Sequence, residues 1–527
     1  MKNKWFVLFY FAVAAAGCKK SFLDVPIQGQ GTASTDPQVV LNEVTGAYNA
    51  LITPDPTQGG FGQYDIHGIY FITVTNIRSD DADKGSYTFD QPPAADIDNF
   101  TVTSDNTYIA GLWRGYYAGI SRTNIAINDL AKSSAVINPT IIATRTAEMR
   151  FLRAYFYFNM VRMFGGVPLV LTVPTGPKNQ DSSFYTRATV SDIYNKAIIP
   201  DLQFAALNLP LKSATDVGRA TKGAAETLLA KVDIYLKNWK TADSLTQDVI
   251  SSGQYQLMPD YSILWRQAGD NSAESIFEVE TGIYGSADYG IPEYVEFQGP
   301  RQDNGMGTPF TPWNNPGFNQ PAGDDGFGFD APSANLAAAY EPGDLRKAAT
   351  IIDLPASSAP DTLFDGFIVP TLVGLHTYYN YKAYHSEIPA GGGKAQIEAF
   401  DGNRGLCPKN LHILRYAEVL LIKAEADNEM GNTGNAITYL NMVRSRAGLL
   451  PTTASSQTDL RTAVWNERRV ELAMEHDRFW DIVRQGRAAQ IMQAVGKNFT
   501  ANKDELLPIP ASEIAISGGS LSQNLGY

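Results

Sequence analysis

The sequence predicts a mainly α-helical protein, in which a scaffold of paired helices carries a loop-rich and partly irregular portion. Apolar residues recur at helical spacing through much of residues 39–252 and again through residues 411–527. Between these regions, in residues 253–410, the helical period is largely lost and Gly, Pro, Asn and Asp accumulate. Loops of this length are uncommon in compact domains and are often functional, so we expect the helices to hold the loops that bind.

The chain begins with the features of a secretory signal that ends in a lipobox. Two lysines precede a short apolar run over residues 5–16, which is below the roughly 20 residues that span a bilayer. Three small residues, 15–17, stand directly before Cys18. We expect residues 1–17 to be removed and the Cys18 thiol to be acylated, so that residues 18–38 form a lipidated tether. The alternative is an ordinary signal peptide with a chance cysteine.

Length, charge and cysteine content restrict the class of protein. The chain has 527 residues, which is ample for a large core and too long for one typical domain. Its net charge is −13, which argues against nucleic acid as a partner and against a polybasic membrane patch. If Cys18 is acylated, Cys407 is the only other cysteine, so no intrachain disulfide is expected.

Four helices are predicted in the first part of the chain. The first begins near Val39 and has an apolar stripe formed by Val40, Val44, Ala47, Tyr48 and Leu51. The second covers about residues 108–130, and the third covers about residues 143–164, where two glycines end it. The fourth covers residues 191–207 and stops before a proline.

Two later stretches share one apolar spacing. Positions i, i+3, i+4 and i+7 are Ala, Leu, Leu and Val in residues 225–232, and Ala, Leu, Leu and Ala in residues 417–424. Each stretch is followed by a turn and a second periodic segment, which predicts two antiparallel helices that cross at small alanines. Such units resemble tetratricopeptide-type helical hairpins. A last helix, dense in charge, is expected over residues 460–489, and a short one near residues 333–340.

Aromatic and planar polar side chains in the loops are the candidate ligand-binding residues. Aromatic rings cover the C–H face of a sugar, and Asp, Asn or Arg side chains bind pairs of its hydroxyl groups. One cluster, in the smaller irregular stretch 54–106, comprises Arg78, Asp80, Asp81, Asp83, Lys84, Tyr87 and Phe89. A second cluster comprises Tyr284, Tyr289, Tyr294, Phe310, Trp313 and Asn314. The alternatives are a solvated acidic loop for the first and a Trp313 that packs onto the core for the second. Residues 376–381 alternate like a strand, and core packing is favoured for them.

Catalytic and metal-binding patterns are not found in the sequence. No two of the five histidines have the i+4 spacing of metal ligands, and there is neither a G-x-S-x-G elbow nor a phosphate-binding glycine loop. Glu467, Glu471 and Glu475 interleave with arginines, which predicts an ion-pair network between helices rather than an acid–base pair. We therefore expect no enzyme, no cofactor and no metal. A glycoside hydrolase, and an interaction scaffold without a small ligand, are the alternatives.

Several blocks of the sequence resemble the SusD/RagB family, in the order that the family has them and over almost the whole mature chain. They are FLD (22–24) after Cys18, MRFLRAYFYF (149–158), FGGVPLV (164–170), GRATKGAA (218–225), RYAEVLL (415–421), ERRVEL (467–472), RFWDI (478–482), LPIP (507–510) and QNLGY (523–527). Only the region 253–410 matches poorly, and the family varies there.

The resemblance implies a lipid-anchored protein on the cell surface of a Bacteroidetes outer membrane, with a tetratricopeptide-like scaffold and a loop-rich binding portion. Such proteins bind oligosaccharides and form a lid on a SusC-like, TonB-dependent transporter. Some members bind peptides, which is the alternative ligand here. Many surface lipoproteins of that group carry acidic residues after the cysteine, whereas this chain has Lys19 and Lys20, which leaves the periplasmic face as an alternative.

We expect five regions along the chain and seven ligand-binding residues. The chain is divided into a signal peptide (1–17), a lipidated tether (18–38), an N-terminal helical region (39–252), a loop-rich variable region (253–410) and a C-terminal helical region (411–527). The expected ligand-binding residues are Arg78, Asp81, Tyr87, Tyr289, Tyr294, Trp313 and Asn314.

Overall fold

The computed structural model describes most of the chain that follows the expected tether. The described residues are 36–52, 66–173, 184–280, 294, 297–299, 301, 327–354, 361–362, 368–369, 376–384, 389–390, 394–395 and 409–527. Within these ranges the protein is mainly helical, as predicted, and none of the helices is long and apolar enough to cross a membrane. The expected signal peptide and Cys18 lie outside the described residues.

Helices dominate the N-terminal part of the described chain. They are α1 (Pro37–Tyr48), α2 (Ile69–Ile72), α3 (Pro92–Asp98), α4 (Thr107–Lys132), α5 (Pro139–Phe164), α6 (Val190–Ile193), α7 (Ile199–Asn208), α8 (Lys222–Tyr235) and α9 (Trp239–Ser251). The long helices α4 and α5 pack against each other, and α1 and α7 pack on them. Asn106 and Asn138 cap the first turns of α4 and α5 with their side chains, and Gly165, at φ 71°, ends α5. The four predicted helices are confirmed, and the fourth consists of α6 and α7 joined by a π-helical turn.

Residues 66–106 are more regular than the sequence predicts. α2 continues into a π-helical turn over Thr73–Ile77, and β1 (Ala82–Gly85) and α3 follow. Thr73 and Thr75 donate side-chain hydrogen bonds to carbonyl groups one turn back, at 2.7 Å each. Because nearly every residue of these two turns is buried, no amphipathic period marks them, and the prediction of a loop is wrong here.

The described part of the region 253–410 contains short strands and short helices. After 3₁₀ turns at Tyr261–Trp265 and Gln267–Gly269 come β2 (Ser275–Val279), β3 (Phe329–Pro332), α10 (Ala334–Ala339), α11 (Arg346–Thr350), β4 (Ile351–Asp353), β5 (Asp361–Thr362), β6 (Ile368–Val369), β7 (Tyr378–Asn380), β8 (Pro389–Ala390) and β9 (Lys394–Ala395). β1 pairs with β3, β4 with β7, β5 with β6, and β8 with β9, all antiparallel. The predicted short helix and the predicted strand are confirmed as α10 and β7.

The C-terminal region opens with β10 (Leu411–Arg415), which pairs with β2. Its helices are α12 (Tyr416–Glu429), α13 (Thr433–Arg446), α14 (Gln457–Glu471), α15 (Arg478–Arg484), α16 (Ala488–Ala494) and α17 (Ala511–Ile516). The single helix predicted over residues 460–489 is wrong. The backbone turns sharply between α14 and α15, where Met474 and His476 have φ angles of 63° and 73°.

Both predicted helical hairpins are present, as α8 with α9 and α12 with α13. They pack against each other through a buried cluster in which alanines allow the helices to approach closely, namely Ala230, Ile234, Ala242, Ile422 and Ala426. This cluster joins the N-terminal and C-terminal helical regions.

The predicted ion-pair network is confirmed, and it connects more elements than α14 and α15. Glu471 is fully buried and binds Arg346 of α11, Arg415 of β10 and Arg446 of α13. Arg415 also contacts Glu274 at 2.8 Å. These pairs tie the described part of the loop-rich region to the helical scaffold.

Candidate functional site

A tight turn at the end of β1 lies against the neighbouring strand β3. The Ser86 amide donates a hydrogen bond of 2.7 Å to the Gly328 carbonyl. Gly85 has a φ of 67°, and a Cβ atom at that position would lie 2.2 Å from the Gly328 oxygen. Any other residue would be strained at this φ angle, and its Cβ atom would clash with the Gly328 oxygen. Gly85 therefore allows the turn formed by residues 85–90 to lie against β3.

Tyr87 and Phe89 on this turn form an aromatic surface that we call the Tyr87–Phe89 platform. Their rings are parallel to within 2°, and the ring centres are 5.7 Å apart. Phe89 is 78% exposed, and Tyr87 is half-buried. The two rings are stacked, so the aromatic surface open to solvent is that of Phe89, and such a surface can cover the C–H face of a sugar ring.

Arg301 links the platform to a carboxylate. Its guanidinium carbon lies 4.3 Å from the centre of the Tyr87 ring, and it donates hydrogen bonds to Asp90 and to the Ser86 hydroxyl. Ser86 in turn donates to Asp90 at 2.7 Å. Although burial opposes it, these hydrogen bonds hold the pKa of Asp90 below its usual value. The carboxylate is therefore charged at neutral pH.

Asp83 and His376 interact electrostatically with each other. The Asp83 side chain is 64% exposed, and its nearest cation is the Lys497 ammonium at 3.9 Å. Burial lowers the pKa of His376 and outweighs the opposing effect of Asp83, so the imidazole is neutral at pH 7. The described surface beside the platform therefore offers an open carboxylate and a neutral ring.

Arg78, expected to bind ligand, is 1% exposed and has a structural role instead. Its guanidinium donates to the carbonyl groups of Asp504 and Leu506, at 2.7 and 2.9 Å. The same group lies 4.5 Å from the centre of the Phe479 ring. The expectation for Arg78 is corrected: it anchors the C-terminal chain to the π-helical turn.

Asp81, also expected to bind ligand, is 1% exposed. Arg469 donates to its carboxylate at 2.7 Å, and the neighbouring Asp80 accepts two hydrogen bonds from Arg478, at 2.7 and 2.8 Å. Both acids belong to the ion-pair network of α14 and α15. The first predicted cluster is therefore divided, with Arg78, Asp80 and Asp81 inside and Asp83, Tyr87 and Phe89 toward the surface.

Tyr294, from the second cluster, is 8% exposed and packs in the interior. Its hydroxyl lies 3.2 Å from a ring nitrogen of His476, and the two rings meet edge to face. Tyr294 therefore holds the turn between α14 and α15 and is not open to a ligand. The predicted residues Tyr289, Trp313 and Asn314 lie outside the described residues. Core packing is confirmed for the third segment, since Tyr379 and Tyr381 are fully buried.

Arg301 and Asp90 were missed by the sequence reasoning. Asp90 stands three residues after Tyr87 in the same turn, so the sequence alone could have added it to the first cluster of candidate residues. Arg301 is the only basic residue between positions 281 and 326, in a stretch rich in Tyr, Phe and Asn. A single cation in a long acidic and aromatic segment was a signal that could have pointed to it.

Two adjoining cavities in the described part of the molecule lie elsewhere, along α4. The larger has a volume of about 420 Å³ and lies between α4, residues 168–173 and the C-terminal segment; the smaller, about 320 Å³, lies near Ser104. Both are lined by Arg114. Trp113 in the larger cavity is only 3% exposed, so its ring is covered by protein. The larger cavity is also lined by Tyr117, Phe184 and Tyr185, which are half-buried, whereas Phe89 on the platform is 78% exposed.

Potential metal ligands are scattered over the described residues. No group of three His, Cys, Asp or Glu side chains in those ranges is placed to hold a metal ion. The acids of α14 and α15 are bound to arginines, as in Arg468, which contacts Glu418 and Asp481 at 2.6 Å each.

Two family models match separate parts of the chain. The model of the SusD family matches residues 402–527. A second, described as starch-binding and associating with the outer membrane, matches residues 70–236. The first includes the end of the loop-rich region, β10 and all later helices, and the second covers most of the N-terminal helices.

Relatives and solved structures extend the similarity over most of the chain. A SusD-like protein P2 from Formosa agariphila is 28% identical over 460 residues, which are 82% of this chain and 83% of the relative. A structure described as a laminarin-binding SusD-like protein has a TM-score of 0.72 at 28% identity and covers 93% of this chain and 99% of its own. Surface glycan-binding protein A from Bacteroides fluxus has a TM-score of 0.73 at 25% identity, with the same coverage.

The chain belongs to the SusD/RagB family, as its sequence blocks predicted. Its mainly helical fold is the SusD-like fold. The family consists of non-catalytic binding proteins associated with the outer membrane, which supports the prediction that this chain is not an enzyme.

Proposed function

We propose that this protein captures oligosaccharides at the cell surface and delivers them to a SusC-like, TonB-dependent outer-membrane transporter. The observation that carries the proposal is the exposed Tyr87–Phe89 platform with charged and polar groups at its edge. A similar structure is described as binding laminarin, and a family model that matches this chain is described as starch-binding. Both descriptions favour a carbohydrate ligand here.

The chemistry of the platform suits a sugar ring. Phe89 covers the apolar face of a pyranose, and Asp83 on β1, Asp90 on the turn and Arg301 beside the Tyr87 ring bind its hydroxyl groups. Burying a whole Phe side chain contributes about 1.5–3 kcal/mol, and a sugar covers about half of it. Phe89 should therefore contribute about 1 kcal/mol to binding.

We extend the site to Tyr289, Trp313 and Asn314. The chain positions 302–326 run between Arg301 and Phe327, and the described ends of this segment lie at the platform, where Arg301 donates to the Phe327 carbonyl at 3.5 Å. The chemistry of Trp313 and Asn314 matches that of the platform. Arg78, Asp81 and Tyr294 are not part of the proposed site.

We also propose how the protein is anchored to the membrane and which part of the chain has which role. Cys18 carries the lipid, and residues 18–38 tether the body to the membrane. The helical regions 39–252 and 411–527 form the scaffold, and the region 253–410 supplies most of the binding loops. The ion pairs of Glu471 with Arg346 and Arg415 support this division of roles, since they brace the described part of the loop region against the scaffold.

Isothermal titration of the mature chain with soluble oligosaccharides, including laminarin fragments, tests the proposal. Phe89→Ala should raise Kd about fivefold for the glycan that binds. Leu207→Ala is the matched control, because Leu207 is 84% exposed on α7, and its removal should leave Kd unchanged. Silence across the glycans together with binding of peptides would replace the carbohydrate ligand by a peptide.

A further inference from the structure

The two adjoining cavities follow one face of α4 and together form a groove that we call the α4 groove. Thr107, Gly111, Arg114, Ala118 and Ser121 stand three or four positions apart on this face, and each of them lines a cavity. Arg114 lines both cavities, so the two are continuous at its side chain. Because an α-helix rises 1.5 Å per residue, this face of the helix is about 20 Å long. The α4 groove is therefore an elongated site.

The larger cavity of the groove presents aromatic side chains to a ligand. Tyr117, Phe184 and Tyr185 line it and are half-buried. The Tyr117 hydroxyl donates a hydrogen bond of 2.8 Å to the Pro168 carbonyl, which holds the ring in place. A volume of about 420 Å³ is within the range of small-molecule sites, and rings that are fixed in such a site can cover the C–H faces of sugars.

Polar side chains that suit hydroxyl groups line both parts of the groove. Arg114 is 44% exposed, and its guanidinium donates to Glu513 and to the Ser512 hydroxyl at 3.3 Å each. Both contacts are long and the pair is open to solvent, so turning the guanidinium toward a ligand costs little. Asp105 in the smaller cavity and Ser121 in the larger one are exposed. Planar Arg and Asp groups bind pairs of sugar hydroxyls.

The smaller cavity lies close to the chain segment that carries the Tyr87–Phe89 platform. Gln91 directly follows Asp90 of the platform turn, is exposed, and accepts a hydrogen bond of 2.7 Å from the Tyr108 hydroxyl. The centre of the Tyr108 ring is 4.2 Å from that of Tyr70, which lines the smaller cavity. Two side chains therefore connect the platform turn to the beginning of the α4 groove.

We infer that an oligosaccharide held at the Tyr87–Phe89 platform continues along the α4 groove, so that the protein selects linear chains of several sugar units over short saccharides. This rests on the proposed function and narrows it to a substrate class. The occupant of the groove is a glycan because the groove continues from the platform and repeats its combination of aromatic rings and hydroxyl-binding groups.

Isothermal titration of the mature chain with size-graded oligosaccharides tests the inference. The probes are series from disaccharides to decasaccharides, prepared from laminarin, starch and mannan. Within a series that binds, Kd should fall at least about tenfold from the shortest binding member to the decasaccharide, because the longer chain gains the contacts of the groove and still loses its translational freedom only once. An affinity that stops rising at the trisaccharide would overturn the inference and leave the proposed function standing. Silence of every series would overturn both.

Two variants of the groove locate the gain in affinity. Arg114→Ala should raise Kd of the decasaccharide at least about fivefold and leave Kd of the shortest binding member within about twofold. Ser121→Leu, which puts apolar volume at the larger cavity, should change the two values in the same way. If the gain with chain length survives both substitutions, the chain does not lie in the groove and the inference is wrong.

Two further variants serve as references. Arg461→Ala is the matched control for Arg114→Ala, because Arg461 is 30% exposed, pairs with Glu429 at 2.6 Å and lines neither cavity; neither Kd should change. Phe89→Ala should weaken the short and the long members alike, since both are held at the platform. Long chains that bind Phe89→Ala as tightly as the unchanged protein would contradict a path that begins at the platform.

Discussion

Replacing Glu471 by Gln removes one charge from the centre of the ion-pair network and should strongly destabilise the fold. Glu471 is fully buried and is contacted by three guanidinium groups, those of Arg346, Arg415 and Arg446. Glutamine has nearly the same shape, so the variant creates no cavity. It leaves three buried cations with one compensating anion fewer, and a side-chain amide that can point a donor at them.

The size of the effect follows from that arrangement. Removing one member of a buried ion pair costs about 3–5 kcal/mol, because the partner stays buried without compensation. Folded proteins have a free energy of unfolding of about 5–15 kcal/mol, so the loss is a large share of the total. Glu513→Gln is the matched control: the pair of Glu513 with Arg114 spans 3.3 Å and Arg114 is 44% exposed, so at most about 1 kcal/mol should be lost.

Urea unfolding followed by circular dichroism measures both variants, and urea is preferred because guanidinium chloride screens ion pairs. The arginines hold the pKa of Glu471 well below its usual value, even though burial raises it. A carboxylate with a lowered pKa stabilises the fold above its unfolded pKa of about 4.3, and that contribution is lost as the pH falls toward the folded pKa. The difference between the unchanged protein and Glu471→Gln should be constant from pH 6 to 8 and shrink below about pH 4. A loss within 1 kcal/mol at pH 7 would refute the assignment of Glu471 as the centre of the network.

Three further predictions concern the turn and its support. Gly85→Ala should destabilise the turn by about 1–3 kcal/mol and weaken glycan binding, because its Cβ would lie 2.2 Å from a carbonyl oxygen; thermal unfolding and titration measure the two effects. Arg78→Met should lower the unfolding temperature but leave Kd within about twofold, and a large change in Kd would restore Arg78 to the site. Burial raises the pKa of Asp330 to about 7. The protonated carboxyl therefore stabilises the folded protein at low pH, and this contribution is lost as the pH rises from about 4 to 7. Asp330→Asn should therefore be more stable than the unchanged protein at pH 8, by about 1–3 kcal/mol, and equal stability at pH 8 would contradict this assignment.

The long helices and the two hairpins could be predicted because their apolar spacing persists over several turns. Ala242 and Ala426, for example, are small where the hairpins touch, and the sequence shows this without any partner. Short buried turns gave no such signal. The break after Glu471 was missed because charged and aromatic residues continue through it at helical spacing, while Met474 and His476 take up left-handed backbone conformations that depend on tertiary contacts.

The roles of the charged residues in the first cluster could not be predicted, because their partners are far away in the sequence. Arg78 binds carbonyl groups more than 400 positions later, and Asp80 binds Arg478 across a similar separation. A single sequence shows that these side chains are charged, and it does not show whether another part of the chain neutralises them. Residue type alone therefore predicted ligand-binding residues, with a solvated acidic loop as the alternative, and burial divides that segment into a core part and a surface part.

The division of the first cluster also explains how the surface part is held in place. In β1 the side chains alternate, so Ala82 is buried and Asp83 is exposed, and the turn that carries the platform follows at once. The buried anchors Arg78 and Asp81, on the segment just before, are bound to the C-terminal chain and to α14. A binding surface loses less affinity to ordering when its backbone is fixed before the ligand arrives. The buried charges thus contribute to binding indirectly, since they preorganise the turn on which the aromatic rings stand.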